Sequence, residues 1–260
     1  MVVRFRSEFL RRFPPHLRNE LQQLLPLVNG LELRAASAPQ LTWPPPETPS
    51  EKLDFFLEML WQSNVRRAAA LYRGIVESLN ESNFLVFAVL FRALFEQVVL
   101  LRAYWHHRIS PVMAESAKEG VVTTAQLRQL ITELHTAVAR TKVEWAEILK
   151  GNIGQTAGAA TPSDTVRLKA AAKAWTDEVG RLGMFTPLQL YDLLCDAAHP
   201  NFGGTILMMK DHAFGWANTS DSSIGARTFG LLYPSLAAVS NDFQRLLNLI
   251  LLSKFEANQT

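Results

Sequence analysis

Hydrophobic side chains recur every three or four positions along most of this chain, which is the spacing of an α-helix with one buried face. A glycine-rich stretch over residues 203–228 interrupts this spacing and predicts irregular structure with at most a short hairpin. No internal repeat of about 20 to 50 residues recurs, so a solenoid is excluded. The pattern predicts an all-α helical bundle, with helices at 3–13, 16–28, 51–80, 84–108, 123–149, 165–182, 187–198 and 232–256.

Prolines divide the chain. Five of them lie within residues 38–50, a density that forbids a helix and favours an extended strap or linker. Ser50 is a good N-cap for the helix that follows, and the Ser110-Pro111 pair predicts a turn. We therefore expect a basic helical extension over 1–37, a Pro-rich linker over 38–50 and a bundle domain over 51–260.

Composition narrows the class of protein. With 48% hydrophobic and 19% charged residues, the chain is too apolar to be disordered. Its single cysteine, Cys195, excludes an internal disulfide and fits a reducing cytoplasm. Residues 84–101 are apolar and long enough to cross a membrane, but Arg92 and Glu96 in the middle each oppose insertion by roughly 2.5–3.5 kcal/mol. We expect a buried helix of a cytoplasmic protein and no membrane.

The small net charge of +2 is unevenly placed. Residues 1–34 carry six arginines against three glutamates. Such a basic end could contact nucleic acid, an acidic partner or a membrane surface, or could simply be a solvated helix face. The candidate nucleic-acid contacts are Arg4, Arg6, Arg11 and Arg12.

The stretch with the most potentially reactive side chains is YDLLCDAAHPN, residues 191–201. On a helix, Asp192, Asp196 and His199 share one stripe, and Tyr191, Cys195 and His199 share another. A helix end and a nearby aspartate both favour a protonated imidazole at His199. That histidine could be a general acid or base, or it could cap the helix before Pro200.

The evidence in this stretch for a metal site or for a nucleophilic cysteine is weaker than that for an acid–base histidine. The Asp196-x-x-His199 spacing occurs in di-iron bundles, but those need a second such pair, and no other histidine here has an acidic residue three positions before it. Cys195, flanked by Leu194 and Ala198, is predicted to be a core residue rather than a nucleophile. The chain has no GxSxG, P-loop or GxGxxG motif. We expect no metal and no cofactor.

Arg92 and Glu96 form the second candidate feature. They stand four residues apart on a helix that is otherwise Phe, Leu and Val, where a charge must be paired or face a polar site. A mutual salt bridge is one possibility. A salt bridge to Asp192 or Asp196 on a facing helix is another, and a functional site is a third.

The two stretches FRALFEQVVLL (91–101) and YDLLCDAAHPNFGG (191–204) together resemble a family of bacterial helical proteins of unknown function. In that family an apolar helix carries R-x-x-x-E, and a later helix ends in Y-x-x-L-x-x-x-x-H-P. The family is similar to the HEPN clan, many of whose members are metal-independent ribonucleases in toxin–antitoxin and phage-defence systems. The residues of this chain that match are Arg92, Glu96, Tyr191, Leu194, His199 and Pro200.

This resemblance implies a homodimer that binds or cleaves RNA or a nucleotide. His199 would move the proton, Arg92 with Glu96 would form the rest of the catalytic site, and Tyr191, Asp192 and Asp196 would support it. The chain departs from the usual HEPN signature of arginine, four to six residues, then histidine, because no arginine precedes His199 at that spacing. The pairs that do fit it are Arg11 with His16, Arg102 with His107, and Arg128 with His135.

A second hypothesis is a non-catalytic interaction protein. It would dock a protein partner through the Pro-rich strap at 38–50 and the loop at 203–217. The residues alone leave both hypotheses open.

Overall fold

The computed structural model describes residues 2–42, 44–119, 123–139, 167–198 and 223–257, and it confirms the all-α prediction. Within these residues no strand forms, and Leu182 with Phe185 makes only an isolated bridge. The helices are α1 (Ser7–Leu10), α2 (Pro15–Ser37), α3 (Pro49–Asn80), α4 (Phe84–Tyr104), α5 (Ser110–Glu119), α6 (Thr124–Ala139), α7 (Leu168–Val179), α8 (Pro187–Ala198) and α9 (Ser223–Ala257), with a π-helical turn (Trp105–Ile109) between α4 and α5.

The first helix is much shorter than predicted. The backbone of Val3 both donates to and accepts from the side-chain amide of Asn29 on α2, at 2.8 and 3.1 Å. Because a side chain satisfies these backbone groups, the chain before Ser7 needs no helix to pair them. The following helix runs nine residues past the predicted end at Val28, to Ser37.

The turn predicted at Ser110-Pro111 is wrong. The chain stays helical there, and the N–H of Ser110 donates to the carbonyl of Trp105, five residues back. Pro111 is the second residue of α5, a first-turn position where the missing N–H of proline removes no bond that a new helix would make. The π-helical turn therefore accommodates Pro111 without interrupting the helical chain.

The later helices follow the prediction more closely. The bounds of α8 agree with the predicted 187–198. The helix before it ends earlier than expected, at Val179, and its C-cap is Gly180, whose φ of 72° suits glycine. The last helix already begins at Ser223 and contains Pro234, so the predicted start at 232 is wrong. Residues 140–149 of the helix predicted over 123–149 lie outside the described residues, and so does the part of the predicted 203–228 hairpin region up to residue 222.

The core is organised around α3 and α4, which pack on each other. Against α3 lie α2, α6 and α9, and against α4 lie α7, α8 and α9. Contact with several helices explains why α4 is apolar on every side. A buried hydrogen bond of 2.6 Å from the Tyr72 hydroxyl to Ser240 Oγ ties α3 to α9.

The N-terminal segment belongs to the same core. Phe9 and Phe13 are buried, and the Phe13 ring meets Phe229 of α9 edge to face with 5.4 Å between centroids. The strap is also held, since Gln62 Nε2 of α3 donates to the Pro39 carbonyl at 2.9 Å. Residues 2–37 therefore pack on the bundle, while the division of the chain into domains stays a prediction.

Candidate functional site

Arg92 and Glu96 form an ion pair on α4, with 2.8 Å between Nε and Oε1. Both side chains are about a quarter exposed, at 24% and 23%. Their neighbours in the helix, Phe91, Leu94 and Phe95, are fully buried. The two charges satisfy each other at i, i+4 spacing and form a polar stripe on a helix that is mostly buried but also exposes Val86 and Val89, each at 41%.

The second motif lies directly against this stripe. α8 packs on α4 through its apolar face, where Ala197 meets Ala88 in a small cluster of their own. The adjacent face of α8 carries Tyr191 and Cys195, and both interact electrostatically with the Arg92 side chain. The packing of α8 on α4 thus brings the R-x-x-x-E motif and the start of the Y-x-x-L-x-x-x-x-H-P motif into one place, as the first hypothesis requires.

The charges at this site are well defined. The hydrogen bond that Arg92 Nε donates to Glu96 raises the pKa of Arg92 above its ordinary value, so the guanidinium is a cation at every physiological pH. Burial raises the pKa of Tyr191, and a hydrogen bond with Cys195 raises it further, so its hydroxyl keeps its proton. The site offers one fixed cation, one carboxylate and a neutral phenol that can donate a hydrogen bond.

Both aspartates of α8 are exposed. Asp192 is exposed and accepts a hydrogen bond from Lys169 Nζ of α7 at 3.0 Å, a surface pair of small energetic weight. Asp196 is exposed as well. Of the alternatives for Arg92, the structure shows the mutual salt bridge with Glu96, whereas Asp192 pairs with Lys169. His199 and Pro200 lie outside the described residues.

Two of the four N-terminal arginines are tied to the turn after α3. Arg6 pairs with Glu81 at 2.7 Å, and Arg12 Nη1 donates to Ser82 Oγ. Arg4 and Arg11 are exposed, and their backbone carbonyls accept hydrogen bonds from the side chains of Asn80 and Arg18. These contacts dock the N-terminal segment on the bundle, and nucleic-acid binding by the four arginines stays a prediction.

The three arginine–histidine pairs with HEPN-like spacing do not share one environment. Arg11 and His16 are both exposed, and so are Arg128 and His135, although the His135 ring also packs edge to face on Phe56. The third pair is split, because Arg102 is buried whereas His107 is exposed. Spacing along the chain therefore does not place these pairs in a common kind of site.

A polar cluster that sequence reasoning missed surrounds Arg102. Its guanidinium binds Asp242 of α9 and Glu178 of α7 and lies 5.3 Å from the centroid of the Trp175 ring. Nearby, in the π-helical turn, the buried Nε2 of His106 has no hydrogen-bond partner. Burial and the Arg102 charge lower the pKa of His106. The sequence feature that could have revealed this cluster is Arg102 itself, a third charge on the apolar helix, six residues after Glu96.

The described residues support neither a metal site nor insertion into a membrane. In the described ranges, histidine, cysteine and carboxylate side chains nowhere gather in a group of three or more that could hold a metal ion. One helical stretch, Phe84–Glu115, is long and apolar enough to cross a membrane, but 56% of its most apolar window is buried inside the protein. A core helix has the same properties.

Comparison of the chain with protein-family models, with curated proteins and with solved structures found no match.

Proposed function

We propose that this protein is a HEPN-like helical ribonuclease that binds RNA and cleaves it without a metal. One observation carries the proposal: the Arg92–Glu96 pair of α4 lies against Tyr191 and Cys195 of α8. α8 ends at Ala198, and His199 follows it directly in the chain. The two motifs behind the resemblance thus belong to helices that pack together.

The proposed chemistry assigns one task to each side chain. His199 takes the proton of the ribose 2′-hydroxyl while that oxygen attacks the neighbouring phosphorus, and the 5′-oxygen leaves with a proton from the imidazolium or water. Arg92 stabilises the negative charge that builds on the phosphoryl oxygens. Glu96 holds the guanidinium in place through its 2.8 Å contact.

Partial exposure supports this role for Arg92. A guanidinium that served only the core would be covered, whereas 24% of this side chain reaches solvent and can meet a phosphate. Its planar fork suits a phosphate better than an ammonium does. Binding of RNA should therefore weaken with salt, because each phosphate contact releases counterions.

The test uses a fluorescent single-stranded RNA and the DNA of the same sequence, incubated with the full chain in the presence of EDTA. We expect cleavage of the RNA alone, because the attacking group is the 2′-hydroxyl. His199→Ala and Arg92→Lys should each lower the rate by about 100-fold or more, typical of general-base and charge-stabilising groups. Arg181→Lys, on an exposed arginine away from this site, is the matched control.

The thermal melt separates catalysis from folding. Arg92→Lys keeps the positive charge beside Glu96, so its melting temperature should stay within a few degrees of the unmodified chain. A wild-type rate in both site variants would contradict the assignment of these residues. Failure of the unmodified chain to cleave or bind any RNA would contradict the function itself.

A further inference from the structure

A cleft lies between α2 and α9. Both helices pack on α3, and a cleft of about 660 Å³ remains between them. The residues that line the cleft begin at Glu20 on one side and Tyr233 on the other, after the Phe13–Phe229 ring contact in both segments. The cleft is separate from the Arg92 stripe, none of whose residues line it.

Small residues keep this cleft open. Gly30 of α2 and Ala237 and Ala238 of α9 line it, and a Cβ added at Gly30 would meet no atom within 4 Å. Leu24 and Leu31 lie beneath as a buried apolar floor. Two helices packed by large side chains would have filled this volume.

The cleft has opposite charges at its two ends. Glu20 and Arg34, both lining residues, are fourteen positions apart on α2, which corresponds to about 21 Å along a helix. Glu20 lies near Tyr233, and its charge adds to the burial that raises the pKa of Tyr233 to about 12. The phenol is therefore a neutral hydrogen-bond donor at the acidic end.

Between these ends, both walls carry side-chain amides. Gln23 stands on α2, and Asn241 and Gln244 stand on α9, all exposed to solvent and all lining the cleft. An amide side chain donates and accepts at once, which matches the alternating N–H and C=O groups of a peptide backbone. About 21 Å is the length of roughly six residues of extended chain.

We propose that this cleft binds an extended peptide segment of a partner protein. A basic side chain of the peptide lies at Glu20, its backbone runs along the amides of both walls, and an acidic side chain lies at Arg34. A nucleic acid fits poorly, because the lining supplies one cation and one carboxylate where a row of phosphates needs several cations.

The experiment pans a phage library of random octapeptides on the full chain and measures the selected peptides, made synthetically, by fluorescence anisotropy. Gly30→Phe fills the cleft without a clash at its Cβ, and a better helix former replaces glycine. Gly230→Phe is the matched control, because that glycine of α9 also has open space at its Cβ but does not line the cleft. The expected result is a loss of at least about tenfold in affinity with Gly30→Phe and no change with Gly230→Phe.

Charge reversal tests the direction of the peptide. Glu20→Lys should weaken a peptide with a basic residue at that end, and a peptide with glutamate in its place should restore the affinity. Selection of no peptide that depends on Gly30 would overturn the proposal. So would sedimentation showing that the unmodified chain self-associates and Gly30→Phe does not, because a second copy would then occupy the cleft.

Discussion

Arg102 of α4 donates from Nη1 to Asp242 of α9 at 2.9 Å, across 140 positions of sequence. Only 6% of the arginine side chain and 14% of the aspartate side chain are exposed. The guanidinium also binds Glu178 and lies over Trp175. One cation therefore ties α4, α7 and α9 together in a region that little water reaches.

Removing that cation should destabilise the bundle. Arg102→Met keeps much of the side-chain volume but leaves the Asp242 carboxylate without its partner, at a cost of about 3 kcal/mol. For a chain of this size the melting temperature should fall by roughly 6–12 °C. Urea unfolding followed by circular dichroism measures the change, and Arg181→Met on an exposed arginine is the control. An equal effect of both substitutions would contradict a structural role for the ion pair.

His106 should make stability depend on pH. Burial and the Arg102 charge lower its pKa in the folded protein, although Glu178 and Asp242 pull the other way and Arg245 adds to the lowering. The unfolded chain then binds a proton on this histidine before the folded chain does, so the free energy of unfolding falls as pH drops through about 6.5 toward the lowered value.

The measurement is the free energy of unfolding between pH 8 and pH 5.5. His106→Asn should flatten the part of the slope just below pH 6.5, with pH 8 as the internal reference because the histidine is neutral there in both states. Further acidification also removes the stability that comes from Glu178, whose pKa the Arg102 hydrogen bond lowers. An unchanged slope near pH 6 in His106→Asn would show that this histidine is not the titrating group.

Gly183 should tolerate no side chain. Its φ is 65°, and an added Cβ would lie 2.7 Å from backbone atoms of Pro234 and Ser235. Gly180 has a similar φ of 72° but open space around it. Gly180→Ala should cost about 1 kcal/mol from backbone strain, and Gly183→Ala about 3 kcal/mol because the contact with α9 is added. Thermal melts of the two variants compare these costs, and equal values would exclude the close approach.

Much of the fold could be predicted from local pattern. The bounds of α8 and, to within two residues, the start of α3 follow from local signals that act within one turn of helix. The predicted N-cap at Ser50 is wrong, because Thr48 takes that position and the helix begins at Pro49. The fully apolar face of α4 predicted a buried helix. The first helix and the turn at Ser110-Pro111 were predicted wrongly, because a distant Asn29 side chain and a π-helical turn satisfy the backbone there.

The candidate site was predictable only in part. Arg92 and Glu96 stood out because two charges on an apolar helix need an explanation, and their spacing fits the ion pair that the structure shows. The sequence could not show whether Asp192 or Tyr191 would be the neighbour of Arg92. The side of α8 that faces α4 depends on how the two helices pack.

The sequence by itself determined that the chain is helical, where most helices begin, and that the charges at 92 and 96 must be paired or face a polar site, because these properties depend on neighbours within a few residues. The tertiary structure alone decided that α8 lies on α4, that Arg102 finds Asp242 across 140 positions, and that α2 and α9 leave a cleft. Those outcomes depend on packing between distant segments, where the volumes of several side chains are satisfied at once.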